Sequence, residues 1–135
     1  MSHPESAEHR EVIVIGAGVA GIYALHRLRD LGVDALVIEA GDDLGGTWYW
    51  NRYPGCRFDS ESYSYGYSFS KELLDEWHWK ERFSPQPENL KYLQYVVEKF
   101  ALRDGMRFNT PLEKAVWDDE ANRWTLHLGG GDVMT

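Results

Sequence analysis

Gly16-Ala17-Gly18-Val19-Ala20-Gly21 follows directly on Val12-Ile13-Val14-Ile15, a run of β-branched residues. It opens a stretch with apolar residues at Ile22, Leu25, Leu28 and Leu31. That order reads as strand, tight turn, helix, with Gly32 as the stop. Ala35-Leu36-Val37-Ile38 then reads as a second strand, and Glu39 ends it. Strand, helix and strand within about 30 residues make one right-handed βαβ unit. Both strands lack polar alternation, so both are expected to be buried on two faces of a parallel sheet.

The glycine spacing carries chemistry at this place in the fold. Gly16 permits the turn, Gly18 lets backbone approach a pyrophosphate, and Gly21 allows the helix to pack closely on the strand. The helix start offers free N–H groups and roughly half a positive charge, which suits a diphosphate. Glu39 lies 18 positions beyond Gly21. Its carboxylate suits the hydroxyls of an adenosine ribose and disfavours a 2′-phosphate. The βαβ unit alone leaves NAD and FAD both open.

Beyond it, residues 41–69 show no sustained period, and Ser70 reads as the N-cap of a short helix to about Trp77. Tyr63, Tyr65, Tyr67 and Phe69 alternate as a strand would. Ser84-Pro85-Gln86-Pro87 is a turn before a helix over about Glu88 to Leu102. Met106 to Phe108 reads as a third strand. Lys114–Trp117 and Arg123–Leu128 flank the acidic turn 118–122 as an antiparallel hairpin. The expected class is therefore α/β: a parallel sheet with helices plus an antiparallel hairpin or meander.

Composition narrows the partners. Among 135 residues, 14 basic and 22 acidic side chains give a net charge of −8, against a nucleic-acid surface. No apolar run nears the ~20 residues of a membrane span, and residues 1–10 read as a flexible polar leader without a signal-peptide core. One cysteine, Cys56, fits a reducing, cytoplasmic setting and reads as an inert buried thiol. The five histidines show no metal-ligand spacing, so no metal is expected.

A second glycine pair, Gly45-Gly46, begins Gly45-Gly46-Thr47-Trp48-Tyr49-Trp50-Asn51-Arg52-Tyr53-Pro54-Gly55-Cys56-Arg57-Phe58-Asp59. This stretch resembles the corresponding part of the Baeyer–Villiger monooxygenases, FAD- and NADPH-dependent class B flavoprotein monooxygenases. Residues 61–70, the Gln86-Pro87-Glu88 turn and residues 108–124 continue the likeness. The resemblance implies a Rossmann-like FAD-binding domain over residues 11–135, incomplete at its C-terminal side.

Residue by residue, it implies that Gly16, Gly18, Ala20 and Gly21 line the FAD pyrophosphate and that Glu39 holds the ribose. Gly46, Thr47, Trp48, Tyr49 and Trp50 would lie along the flavin side. Arg57, Phe58 and Asp59 would border the nicotinamide, Tyr65 would face the flavin, and Leu112 would meet the adenine end. Asp59 matches a catalytic-site aspartate that orients an arginine beside the flavin. From the residues alone, Asp59 reads as a partly buried carboxylate paired with Arg52 or Arg57. Cys56 and Phe58 depart from the Ala and Cys common in the family.

The chain lacks a second GxGxxG for NADPH and the family's Phe-x-Gly-x-x-x-His fingerprint. It is therefore expected to be the N-terminal FAD-binding part of an enzyme that inserts one oxygen atom from O₂ beside a ketone carbonyl, and not to turn over alone. A flavin monooxygenase acting on nitrogen or sulfur, and a non-catalytic FAD-binding protein, are the alternatives.

Overall fold

A computed structural model describes residues 7–135. Two three-stranded sheets and the helices form three layers around two apolar clusters. Strand β1 (Val12–Ile15) leads through Gly16 into helix α1 (Val19–Asp30), and β2 (Ala35–Ile38) returns parallel to β1. The register runs from Val12 opposite Ala35 to Ile15 opposite Ile38. Two four-residue helices follow, α2 (Thr47–Trp50) and α3 (Ser62–Tyr65), then α4 (Lys71–Glu76) and α5 (Gln86–Lys99). A 3₁₀ turn over Arg103–Gly105 delivers β3 (Met106–Arg107), which pairs parallel with β2.

The second sheet is an antiparallel meander of β4 (Leu112–Asp118), β5 (Arg123–Leu128) and β6 (Val133–Met134). It covers the parallel sheet on the face opposite the helices. The two-residue period of β2 explains the layering. Ala35 and Val37 point into the cluster with Ile22 and Leu25 of α1 and Leu93, Val96 and Val97 of α5. Leu36 and Ile38 point into the cluster with Leu126, Leu128 and Met134. Burying each such aliphatic side chain contributes about 2 kcal/mol.

Among the described residues, only β2 is buried along its whole length. Against expectation, β1 is an edge strand, and Ile15 is 54% exposed. Its apolar run reflects the two clusters it touches, Val12 and Val14 on one face and Ile13 on the other, without flanking neighbours on both sides. The edge borders an apolar groove of about 630 Å³ shared with Leu112, Trp117, Trp124 and Leu126 of the meander.

The alternating Tyr63–Phe69 stretch is not a strand. Ser62 donates its hydroxyl to the carbonyls of Glu81 and Arg82, and Gly66 N–H returns to Ser62 O, closing α3. Tyr67 and Phe69 then pack on Tyr23 of α1, at ring separations of 6.3 and 5.2 Å. Helix α5 starts earlier than its spacing suggested, at Gln86, and yields before Leu102, where Ala101 takes φ +51°.

Within the expected leader, residues 8–10 are fastened to the meander. Glu8 bridges Met134 in parallel, and Arg10 N–H donates to Thr135 O. Met1–Ser6 lie outside the described residues. Among the described residues no helix is long and apolar enough to cross a membrane, and no group of three or more His, Cys, Asp or Glu is arranged to hold a metal.

Candidate dinucleotide-binding site

The end of β1 and the start of α1 form one lip of a crevice. Gly16 takes φ +99° and donates its N–H to Ile38 O at 2.8 Å, so the chain turns sharply off the sheet. The backbone of Ile22 makes the bond to Gly18 O at 3.0 Å. The N–H groups of Val19, Ala20 and Gly21 precede it and find no acceptor inside the helix. No acidic residue lies in that first turn, so the helix end keeps its positive field. A Cβ on Gly21 would stand 1.9 Å from Gly16 O, which explains the third glycine of the motif.

The second glycine pair closes directly over the first. Gly45 N–H donates to Ala17 O at 2.9 Å. Gly46 takes φ +53°, and a Cβ there would meet Gly18 Cα at 2.8 Å. Backbone therefore touches backbone at Gly18 and Gly46, and side chains on either would force the strip apart. This contact links the βαβ motif to Thr47–Trp50 without help from any side chain.

Glu39 is positioned by its main chain. Its N–H donates to Arg107 O at 2.9 Å, and its carbonyl accepts Thr110 N–H at 2.8 Å. The side chain is only 6% exposed, and Oε2 accepts Gly41 N–H at 3.2 Å. An acceptor-only carboxylate at the mouth of β2 fits a sugar hydroxyl and would repel a phosphate. Together, the uncapped helix start, the glycine strip and Glu39 fit the ADP half of a dinucleotide.

The aromatic residues divide. Trp48 is buried and donates its indole N–H to Tyr65 Oη at 2.8 Å. Phe58 is buried too, with its ring 5.8 Å from Trp48 and 4.4 Å from Tyr65. These three form a braced cluster. Thr47 and Trp50 are exposed, whereas Tyr49 is half-buried and its hydroxyl donates to Asp42. Leu112 stands apart in the meander cluster, two residues beyond the Thr110 amide that holds Glu39. Tyr67 donates its hydroxyl to Val19 O at 2.5 Å and so steadies the first turn of α1. Burial raises the Tyr67 phenol above its ordinary range and pushes Tyr92 up to about 12.

Asp59 corrects the reading made from the residues alone. It is exposed, and among the described residues it forms no ion pair. Arg57 pairs with Glu81 and donates to Phe83 O, while Arg52 donates to Tyr49 O and lies over the Tyr49 ring. The cause is alternation. Arg57 forms an antiparallel bridge with Pro85, so Cys56 and Phe58 face inward while Arg57 and Asp59 face out. Sequence reasoning missed the Gly18–Gly46 contact and the part of Gln86, whose amide donates to Trp48 O. Neither long-range contact leaves a local periodic signal.

Fold and crevice together define a Rossmann-like dinucleotide-binding domain, and residues 14–76 match the model for the NAD(P)-binding Rossmann-like domain. The chain is 44% identical over all its 135 residues to a 2-oxo-Delta(3)-4,5,5-trimethylcyclopentenylacetyl-CoA monooxygenase of Pseudomonas putida, covering 25% of that protein. A solved cyclohexanone monooxygenase superposes with a TM-score of 0.92 at 42% identity, over 96% of this chain and 24% of that one. An OTEMO complex with FAD and NADP gives a TM-score of 0.87 at 45% identity, over 93% of this chain and 24% of that one. Over nearly its whole length the chain is therefore similar to the N-terminal quarter of Baeyer–Villiger monooxygenases. It spans about a quarter of the length of the relatives it matches.

Proposed function

We propose that the crevice holds the ADP half of FAD, within a flavin monooxygenase that uses NADPH and O₂ to place one oxygen atom beside a ketone carbonyl. The observation that carries this reading is the meeting of both glycine pairs at the uncapped start of α1, with Glu39 at the neighbouring strand end. FAD, when bound, supplies the redox and oxygen-activating chemistry.

The residues of this chain bind and orient. Val19 and Ala20 offer main-chain N–H groups to the pyrophosphate, and Gly16, Gly18 and Gly21 clear the space it needs. Glu39 accepts from the ribose. Gly46, Thr47, Tyr49 and Trp50 carry the strip onward along the flavin, and Trp48, Phe58 and Tyr65 brace it from behind. Asp59, exposed beside that brace, is free to orient a cationic group supplied by another part of the enzyme, with Arg57 alongside. Leu112 borders the adenine end through the Thr110 segment. NADPH and the ketone would be held mainly by elements beyond these residues.

The test uses ADP, because a crevice with few flavin contacts should bind FAD weakly. Millimolar ADP should shift the backbone amide resonances of Val19, Ala20 and Gly46 in this chain. Unmoved resonances there would end the proposal. For the reaction class, the chain can replace the matching quarter of a cyclohexanone monooxygenase. That chimera should bind FAD and form lactone with NADPH. Oxidation of a sulfide or amine with no lactone would place the chain with the nitrogen- and sulfur-oxidising flavoenzymes instead.

A further inference from the structure

Gln86 opens α5, far in sequence from both glycine pairs, yet it makes two bonds into the flavin side of the crevice. Its backbone N–H donates to Cys56 O at 2.9 Å. Its side-chain Nε2 donates to Trp48 O at 2.5 Å. The residue is 8% exposed. Its neighbours reinforce the grip. Ser84 O accepts Phe58 N–H at 3.4 Å and Asn89 Nδ2 at 3.0 Å, and Asn89 is 1% exposed.

We propose that Gln86 is a positioning residue that couples two loops, the Gly46–Trp50 turn and the Cys56–Asp59 run, to the rigid body of α5. Helix α2 has only four residues, too few to hold itself, and its last carbonyls have no acceptor role inside the helix. A donor fixed on a fourteen-residue helix supplies what α2 lacks. The second loop has no regular structure beyond the single Arg57–Pro85 bridge, and the Gln86 main chain pins its start. Any residue but proline could make the main-chain bond, whereas the bond to Trp48 O needs a side-chain donor of this length. Glutamate at neutral pH would set an acceptor against the Trp48 carbonyl, and methionine would fill the space with no donor. The functional half of this inference rests on reading the crevice as an FAD site; the coupling half does not.

The experiment compares Gln86→Met with the unchanged 135-residue chain. Amide resonances should move at Gly46–Trp50, which loses its side-chain donor, and stay in place at Arg57–Asp59, which the main-chain N–H still holds. FAD should bind about fivefold more weakly, while ADP, which uses the glycine end alone, should bind unchanged. Far-UV circular dichroism establishes that the variant is folded. If it is not, Gln86→Glu provides the same loss of donor at the same length. Unmoved resonances at Gly46–Trp50 would overturn the coupling. Equal losses for FAD and ADP would show a merely structural role and also overturn it. Should the unchanged chain bind neither ligand, the crevice reading fails, and the resonances alone decide the coupling.

Discussion

Gly21 shows how narrow the tolerance is at single positions. A Cβ on Gly21 would collide with Gly16 O, a main-chain atom that cannot swing aside. Gly21→Ala should therefore destabilise the fold by about 3 kcal/mol, read as a lower urea midpoint with unchanged slope. Glu39 is a contrast, because its carboxylate holds only one local turn and, in the proposed FAD site, would accept from the ribose. Glu39→Ala should weaken ADP binding about tenfold by isothermal titration, through lost charge-assisted hydrogen bonds. Both roles are legible in sequence, since glycine spacing and a strand-end acid are local patterns. Asp59 was not legible in the same way. Its exposure follows from the bridge between Arg57 and Pro85, a pairing across 28 positions that no local window contains.

Among the elements, α4 rests on a side-chain cap. Ser70 Oγ accepts Leu73 N–H at 3.2 Å, and Glu72 lies in the first turn. Ser70→Ala should cost about 1 kcal/mol, measurable as a lower thermal midpoint. That helix was readable because a hydroxyl before an apolar pattern is a local signal. The burial of β1 was not, because the same four residues suit a central strand or an edge. Among the described residues only β2, paired on both sides, is buried throughout. The exposed Ile15 edge has a measurable consequence. The chain should self-associate at high concentration, and Ile15→Lys should return light scattering to the monomer mass. The aromatic alternation over 63–69 misled for a related reason. Ser62 bonds to Glu81 and Arg82, and those distant carbonyls fix α3 over Ser62–Tyr65 at the start of the stretch.

Across the whole molecule, charge ties the two sheets together. The Glu8 carboxylate accepts two bonds from Arg107 on β3, each 2.9 Å, while Arg10 reaches Glu8 and Asp34. Arg107 first, then Arg10, holds the Glu8 carboxyl below the ordinary carboxylate range. A depressed folded value means that this contribution is complete above the ordinary value of 4.5 and is lost as pH falls through the folded one. The stability gap between the unchanged chain and Glu8→Gln should therefore be visible at pH 7 and shrink steadily in acid. The effect should be modest, because the Glu8 side chain is more than a third exposed. Strand β2 has a larger consequence. Because its alternate side chains belong to different apolar clusters, neither cluster can be opened while the other stays sealed. Calorimetry should record a single melting event, and any redesign of one compartment must be judged by its strain on the other.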